Sequence, residues 1–382
     1  MAKVKDIAMQ IRGVSYHPED LHDNLDEDSV ILLRANNIKD GKLILDDVVY
    51  VSKSKVAKQQ YLQTGDILIC ASSGSKELVG KAAFVDSVKN PMTFGAFCKV
   101  VRPQPEYSEF LGHYFNSPVY RRKISALSAG ANINNIKNEH IDNLDIQLVD
   151  EKERREIITI LNKLNMLISL RKQQLAKLDE LVKARFLEMF GEPVQNPNCW
   201  KTENLLDLGY CKNGMNFHRD DCGTEIHCLG VGDFKNHSTI RDVGSLPFIS
   251  LNELPTSEYL LQDGDIVFVR SNGNKELVGR CLAIYPAKIP VTYSGFCIRY
   301  RLTSNKITVS YLLRVLKADS VRKKMTGRGA NIQNLNQQIL AQLVVPIPPL
   351  SLQNQFAAFV ERVNQQKQTV QQSLEKLELM KK

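Results

Sequence analysis

A chain of 382 residues exceeds one ordinary hydrophobic core and predicts two domains with connecting material. Hydrophobic residues make up 43%, and 50 Lys and Arg against 42 Asp and Glu leave a formal net charge of +8. That balance suits a polyanionic partner such as nucleic acid, or simply a basic cytosolic protein. No run of eighteen apolar residues occurs, the opening MAKVKDIAMQ has neither an h-region nor a cleavage site, and eight cysteines without a CxxC pair make no disulfide framework. The expectation is a soluble, cytoplasmic protein with reduced thiols.

In chain order, the run GDILICA (Gly65 to Ala71) reads as a strand, followed by the loop SGSKELVGK (Ser73 to Lys81) and a second strand, AAFVDSV. The loop has a glycine pair and a lysine, but five residues separate Gly74 from Gly80 and Ala82 follows Lys81. A P-loop needs four residues and then Lys-Ser or Lys-Thr, so a nucleotide site is disfavoured. Helical spacing covers 108–127 and carries the basic cluster Arg121, Arg122 and Lys123.

Residues 151–190 contain no Gly or Pro and repeat apolar side chains in heptads at Ile157, Leu161, Leu164, Ile168, Leu175, Leu178 and Val182, with Arg171 breaking the seam. This predicts one helix of roughly 58 Å, stopped by Gly191 and Pro193. The second part opens with NPNCWK (Asn196 to Lys201), a lead-in without a counterpart in the first, which leaves the packing of the first domain's edge open. Cys199, Cys211, Cys222 and Cys228 lie near His218, His227 and His237, but their gaps fit no standard ligand spacing, so no metal site is expected. Strands DIVFVRS and CLAIYPA flank the loop NGNKELVGR (Asn272 to Arg280). A helical stretch at 309–325 carries Arg322, Lys323 and Lys324.

After PIPPL (Pro346 to Leu350), a second heptad run uses Phe356, Val360, Val363, Val370, Leu374 and Leu377, with Lys367 as its break. Two such helices in one chain pair most simply as an antiparallel coiled coil, with a domain at each end about a pseudo-twofold axis. The competing arrangement packs each helix on its own domain.

The chain is therefore a tandem repeat. GDI, KELVG, Phe97-Cys98 against Phe296-Cys297, and GANI at 130–133 against 329–332 all recur 199 residues apart; RGVSY at 12–16 pairs more loosely with NGMNF at 213–217. Cys98 and Cys297 fall in apolar runs that suit packing. The expected fold is α+β: two tandem mixed α/β domains, 1–150 and 191–347, separated by long helices at 151–190 and 348–382.

This layout of variable domain, long helix, variable domain, long helix resembles the specificity subunit of type I restriction-modification systems. The resemblance covers essentially the whole chain and rests on the two-copy order of the landmarks, since no single motif is specific. It implies that each domain is a target recognition domain reading one half of a split, asymmetric double-stranded DNA sequence. It also implies that the helices set the spacing and dock two DNA methyltransferase subunits, with restriction subunits joining in the full complex. The chain itself would be non-catalytic. The assembled complex would be an adenine-N6 methyltransferase and, with its restriction subunit, an ATP-dependent endonuclease, so S-adenosylmethionine, ATP and Mg2+ are expected on partner subunits and none on this chain. The sequence agrees with that division: no Asn-Pro-Pro-aromatic or Asp-Pro-Pro-aromatic tetrapeptide, GxGxxG loop or Walker loop is present.

On that resemblance, Lys76 and Lys275 are expected against phosphates, with Lys81, Arg280 and the helix clusters Arg121, Arg122, Lys123, Arg322, Lys323 and Lys324 alongside. Ser73, Ser75, Asn272 and Asn274 suit backbone or base-edge contacts, and Glu77 and Glu276 either weaken phosphate binding or accept from cytosine N4. Arg270, which replaces Ala71 of the first copy, can bridge guanine O6 and N7. The bland alternative is a β-turn with exposed charges. GANI with Asn134, Asn135, Gln333 and Asn334 suits DNA binding or capping equally. Leu78, Val79, Leu277 and Val278 are expected in the core. A coiled-coil scaffold whose domains bind proteins is the rival function.

Overall fold

A computed structural model describes the chain except residues 76, 130–134, 219, 236–237, 327–333 and 382, and the side chains of 128, 129 and 326. Lys76, both GANI segments, Asn134 and Gln333 therefore lie outside the described residues. The chain divides into two compact units, Met1–Arg171 with Ser373–Lys382, and Lys172–Gln372.

The first unit contains strands β1 (Ala2–Lys3), β2 (Ala8–Arg12), β3 (Leu21–His22), β4 (Ser29–Leu33), β5 (Val49–Ser52), β6 (Ile67–Cys70), β7 (Ala82–Phe84), β8 (Met92–Phe94) and β9 (Cys98–Pro103). Helices α1 (Ser108–Phe115) and α2 (Pro118–Ala129), strand β10 (Asp145–Ile146) and the start of α3 (Glu151–Phe190) follow. An antiparallel sheet runs β2-β9-β6-β7, and a second runs β8-β4-β5-β3 with β8 and β4 parallel. Strand β6 is apolar at every position because both its faces are covered. Ile67 and Ile69 join the helix-side core of Leu111, Phe115 and Tyr120, while Leu68 and Cys70 join Leu33 and Phe94 of the second sheet.

The second unit repeats this plan. Its elements are β11 (Thr202–Asn204), β12 (Gly209–Asn213), β13 (Thr224–Leu229), β14 (Thr239–Ile240), β15 (Phe248–Leu251), β16 (Asp265–Val269), β17 (Cys281–Ile284), β18 (Val291–Tyr293) and β19 (Cys297–Leu302). Helices α4 (Val309–Leu316) and α5 (Asp319–Thr326), strand β20 (Val344–Pro346) and helix α6 (Leu350–Met380) complete it, α6 running on past the unit's last residue. The main sheet runs β12-β19-β16-β17-β14, and the smaller one β15-β13-β18. Ile266 and Phe268 face Tyr311, Leu312 and Phe356; Val267 and Val269 face Leu229 and Tyr293.

The first unit's edge is closed like the second's, since β1 pairs with β10 as β11 pairs with β20. The GDI landmark is a staple. Gly65 and Gly264 adopt φ of +92° and +87°, and the following Asp66 and Asp265 are buried. Asp66 accepts two hydrogen bonds of 2.7 Å from Arg102, and Asp265 the same pair from Arg301. Each arginine also donates to a backbone carbonyl, of Tyr61 or Leu260, tying the strand start to the neighbouring strand.

Helices α3 and α6 pair. Within the second unit Phe186 meets Phe356 edge-on at 5.5 Å, and Asp179 accepts a 2.7 Å bond from the seam-breaking Lys367, an order that makes the two segments antiparallel. Val182 and Val360 line the same contact, while Phe186, Phe190 and Phe356 also enter the domain core beside Tyr311. Pairing and packing on the domain are thus not alternatives, because one aromatic cluster serves both. Val363 and Val370 are buried, with Leu175 and Leu178 half-buried. In the first unit Leu164 and Leu374 are buried, and Ile157, Leu161, Ile168, Arg171 and Leu377 half-buried. Gly191, at φ +77°, ends α3; a Cβ there would lie 2.4 Å from Pro197.

Candidate nucleic-acid interface

In each unit backbone hydrogen bonds gather four separate segments at one end of the main sheet. The turn Gly95–Cys98, closed by Cys98 N donating to Gly95 O, presents the carbonyl of Phe97 to the amides of Ala71 (2.9 Å) and Ser72 (3.0 Å). Ser72 in turn bridges Asn135, and Ile136 N donates to Ala71 O at 2.7 Å. Val14 bridges Gly95 from the other side. Gly13 is required there, since a Cβ would sit 2.1 Å from Gly95 O.

The second unit builds the same cluster with other side chains. Cys297 N donates to Ser294 O, Phe296 O accepts from Arg270 N (2.8 Å) and Ser271 N (3.3 Å), and Leu335 N donates to Arg270 O. Ser271 bridges Asn334 and Met215 bridges Ser294, and a Cβ on Gly214 would meet Ser294 O at 2.1 Å. RGVSY and NGMNF therefore match because their glycines allow a backbone to pass the same turn.

The ELVG stretch forms a compact turn under the loop tip. Gly80 N donates to Cys70 O and Gly279 N to Val269 O, both glycines at positive φ, with Val79, Leu277 and Val278 buried and Leu78 half-buried. Arg121 donates to the carbonyls of Val79 (2.8 Å) and Glu77 (3.2 Å), and Arg322 to that of Glu276 (2.8 Å). These two arginines, expected on phosphates, also hold the loop to its helix, through the open backbone carbonyls that a tight turn leaves behind. Lys123 reaches Asp145 O on the edge strand and does not join the loop. Arg122, Lys323 and Lys324 are exposed.

At the loop tip Ser73 Oγ accepts from Ser75 N at 3.2 Å, and Asn272 Oδ1 from Asn274 N at 2.8 Å; Asn274 Oδ1 accepts from Glu276 N. Ser75, Asn274, Lys275, Glu77 and Glu276 are exposed, and Ser73, Asn272, Lys81 and Arg280 half-exposed. Arg270 is half-buried, with its guanidinium 3.4 Å from Gly295 O, so it borders the Phe296 turn. Beneath the loops the thiols are packing groups: burial pushes Cys98 up to about 12 and raises Cys70 and Cys297. Burial likewise raises Cys211 and Cys228 to about 12, and among the described residues no group of three His, Cys, Asp or Glu is placed to hold a metal.

The sequence reading missed Arg12, exposed at the entry to the Val14 bridge, and the side chains of Phe97 and Phe296, which stand out from the turn. The repeat of Phe-Cys was the available signal.

The model of the type I restriction modification DNA specificity domain matches residues 17–180 and 225–379, stretches that include both loops. The chain belongs to this family. It is 33% identical over 383 residues to the type I restriction enzyme StySPI specificity subunit of Salmonella potsdam, an alignment covering 95% of this chain and 81% of the relative. It is 31% identical over 379 residues to the EcoKI specificity subunit of Escherichia coli K12, with the same coverage. Among solved structures it resembles the S subunit of a type I restriction-modification system from M. genitalium (TM-score 0.52, 14% identity, 99% of this chain and 92% of that one). It also resembles a chain from work on complex assembly and conformational transition of the type I R-M system (TM-score 0.58, 14% identity, 100% and 94%). At that identity the likeness concerns the fold. The chain is thus a type I specificity subunit, a class that is generally non-catalytic, and among its described residues no helix is long and apolar enough to cross a membrane.

Proposed function

We propose that the two loop clusters read the two halves of an asymmetric, split target in double-stranded DNA, and that the paired helices set their spacing and dock two adenine methyltransferase subunits. The observation that carries this reading is a single backbone cluster built twice with different side chains along its loop: Ala71, Ser73, Ser75 and Lys81 against Arg270, Asn272, Asn274 and Arg280. A symmetric target needs identical tips, whereas unlike half-sites need one frame with unlike readers. The chain performs no chemistry in this reading. S-adenosylmethionine, ATP and Mg2+ belong to the partner methyltransferase and restriction subunits, and the complex works in the cytoplasm. Each tip offers few cations, so tight specific binding is expected only in the complex with methyltransferase.

The test is methylation-sensitive sequencing of host DNA with and without this gene. A gapped adenine-methylation motif should vanish with the gene, and exchanging 1–150 against 191–347 should reorder its halves. An unchanged methylome, with the partner methyltransferase expressed, would sink the assignment.

A further inference from the structure

Phe97 and Phe296 are the most exposed aromatic side chains among the described residues, at 72% and 62% of full exposure, and they occupy the same position in the two copies. Each is the third residue of a tight turn, a place where Gly, Asn, Asp or Ser normally serves and where a phenyl ring has no turn chemistry to perform. The position is rigid. The carbonyl of each phenylalanine is held by two amides, the next residue, Cys98 or Cys297, is fully buried, and a glycine-led segment presses on the turn from behind. The ring is therefore held outward by the frame that also holds the loop tip, beside Arg270 in the second copy.

We propose that Phe97 and Phe296 are base-contacting residues that make an apolar contact with the DNA, one in each half-site. This rests on the reading of the chain as a DNA-reading subunit and adds a specificity element to it. A phenyl ring has neither donor nor acceptor, so it gains nothing from a phosphate oxygen or from the polar edge of a base. What remains on a duplex is a thymine C5-methyl in the major groove or the face of a base at an opened step. Both are the same chemistry, an apolar surface withdrawn from water, and both discriminate between sequences. The polar and cationic groups on the adjoining loop match a duplex better than they match an apolar protein face.

The experiment uses the full chain assembled with its methyltransferase subunits and compares Phe97→Ala and Phe296→Ala with the wild type. Binding is measured on the target duplex and on duplexes with one or the other half-site scrambled, across a salt series. Each variant should lose roughly 5- to 150-fold in affinity for the target, the range of an aromatic contact to a base. Binding to the duplex whose scrambled half-site is the one that ring contacts, and the salt slope, should stay unchanged, while the loss should persist on the duplex scrambled in the other half-site. Phe97→Ala should discriminate less at one half-site and Phe296→Ala less at the other. Deoxyuridine for thymidine at one position abolishing the difference between variant and wild type identifies the methyl contact; 2-aminopurine fluorescence rising with the wild type alone identifies an opened step.

Equal losses on the target and on both scrambled duplexes, or no loss at all, overturn the proposal. Failure of a variant to assemble with the methyltransferase overturns it in favour of a protein-docking role. A wild-type complex that does not prefer its target over scrambled DNA is a separate result, and removes the DNA-reading assignment itself.

Discussion

Loop residues 71–81 and 270–280 share seven side chains and differ at four, and the two classes do different work. The shared Leu, Val and Gly of KELVG are buried or half-buried and shape the turn, and the shared staple pairs Asp66 with Arg102 and Asp265 with Arg301 beneath it. The differences at 71, 73 and 75 fall on alternate positions. Ser73 and Asn272 keep the oxygen that accepts the amide two residues on, so the backbone survives the exchange while asparagine adds an amide donor. Variation is thus confined to atoms that the frame does not need. In the sheet core Arg299, buried over the Tyr210 ring, stands where the first copy has Val100; nothing else in the structure explains that exchange.

The comparison can be broken most sharply at the staple. Asp66→Ala or Asp265→Ala leaves a largely buried arginine without its carboxylate and should destabilise the affected unit by about 3–5 kcal/mol, read by denaturant unfolding. A large effect in one copy and none in the other would mean the two frames are not equivalent. Next in size, Arg270→Ala should cost about 1–3 kcal/mol of discrimination at one half-site, visible as relaxed methylation there, with thermal stability unchanged. A uniform loss across sequences would instead make Arg270 a phosphate contact.

The smallest effect belongs to the exposed helix cations. Arg122→Ala and Lys323→Ala, at equivalent places, should each lower the slope of log affinity against log salt by roughly 0.9 while leaving sequence preference alone. An unchanged slope would place that helix off the DNA.

Much of the frame was legible because it is written locally. Heptad spacing, the Gly191 stop and the apolar runs of the strands all act over a few residues, and each appears where its pattern lies. The roles of polar landmarks were less legible. Asp66 finds Arg102 36 residues away, and Arg121 finds the Val79 carbonyl 42 residues away, so a phosphate contact and a loop anchor have the same local sequence. Phe97 was hidden for the opposite reason, since a phenylalanine in an apolar run is expected inside.

The sequence by itself determined that the chain is a tandem repeat with two long amphipathic helices and which side chains differ between the copies. These are properties of order, spacing and identity, which need no third dimension. Only the tertiary structure decided that GDI is a staple, that two of the helix arginines hold the loops, and that Phe97 and Phe296 face outward. Those outcomes depend on hydrogen bonds between segments far apart in the chain, and on which face of a turn the surrounding backbone leaves open.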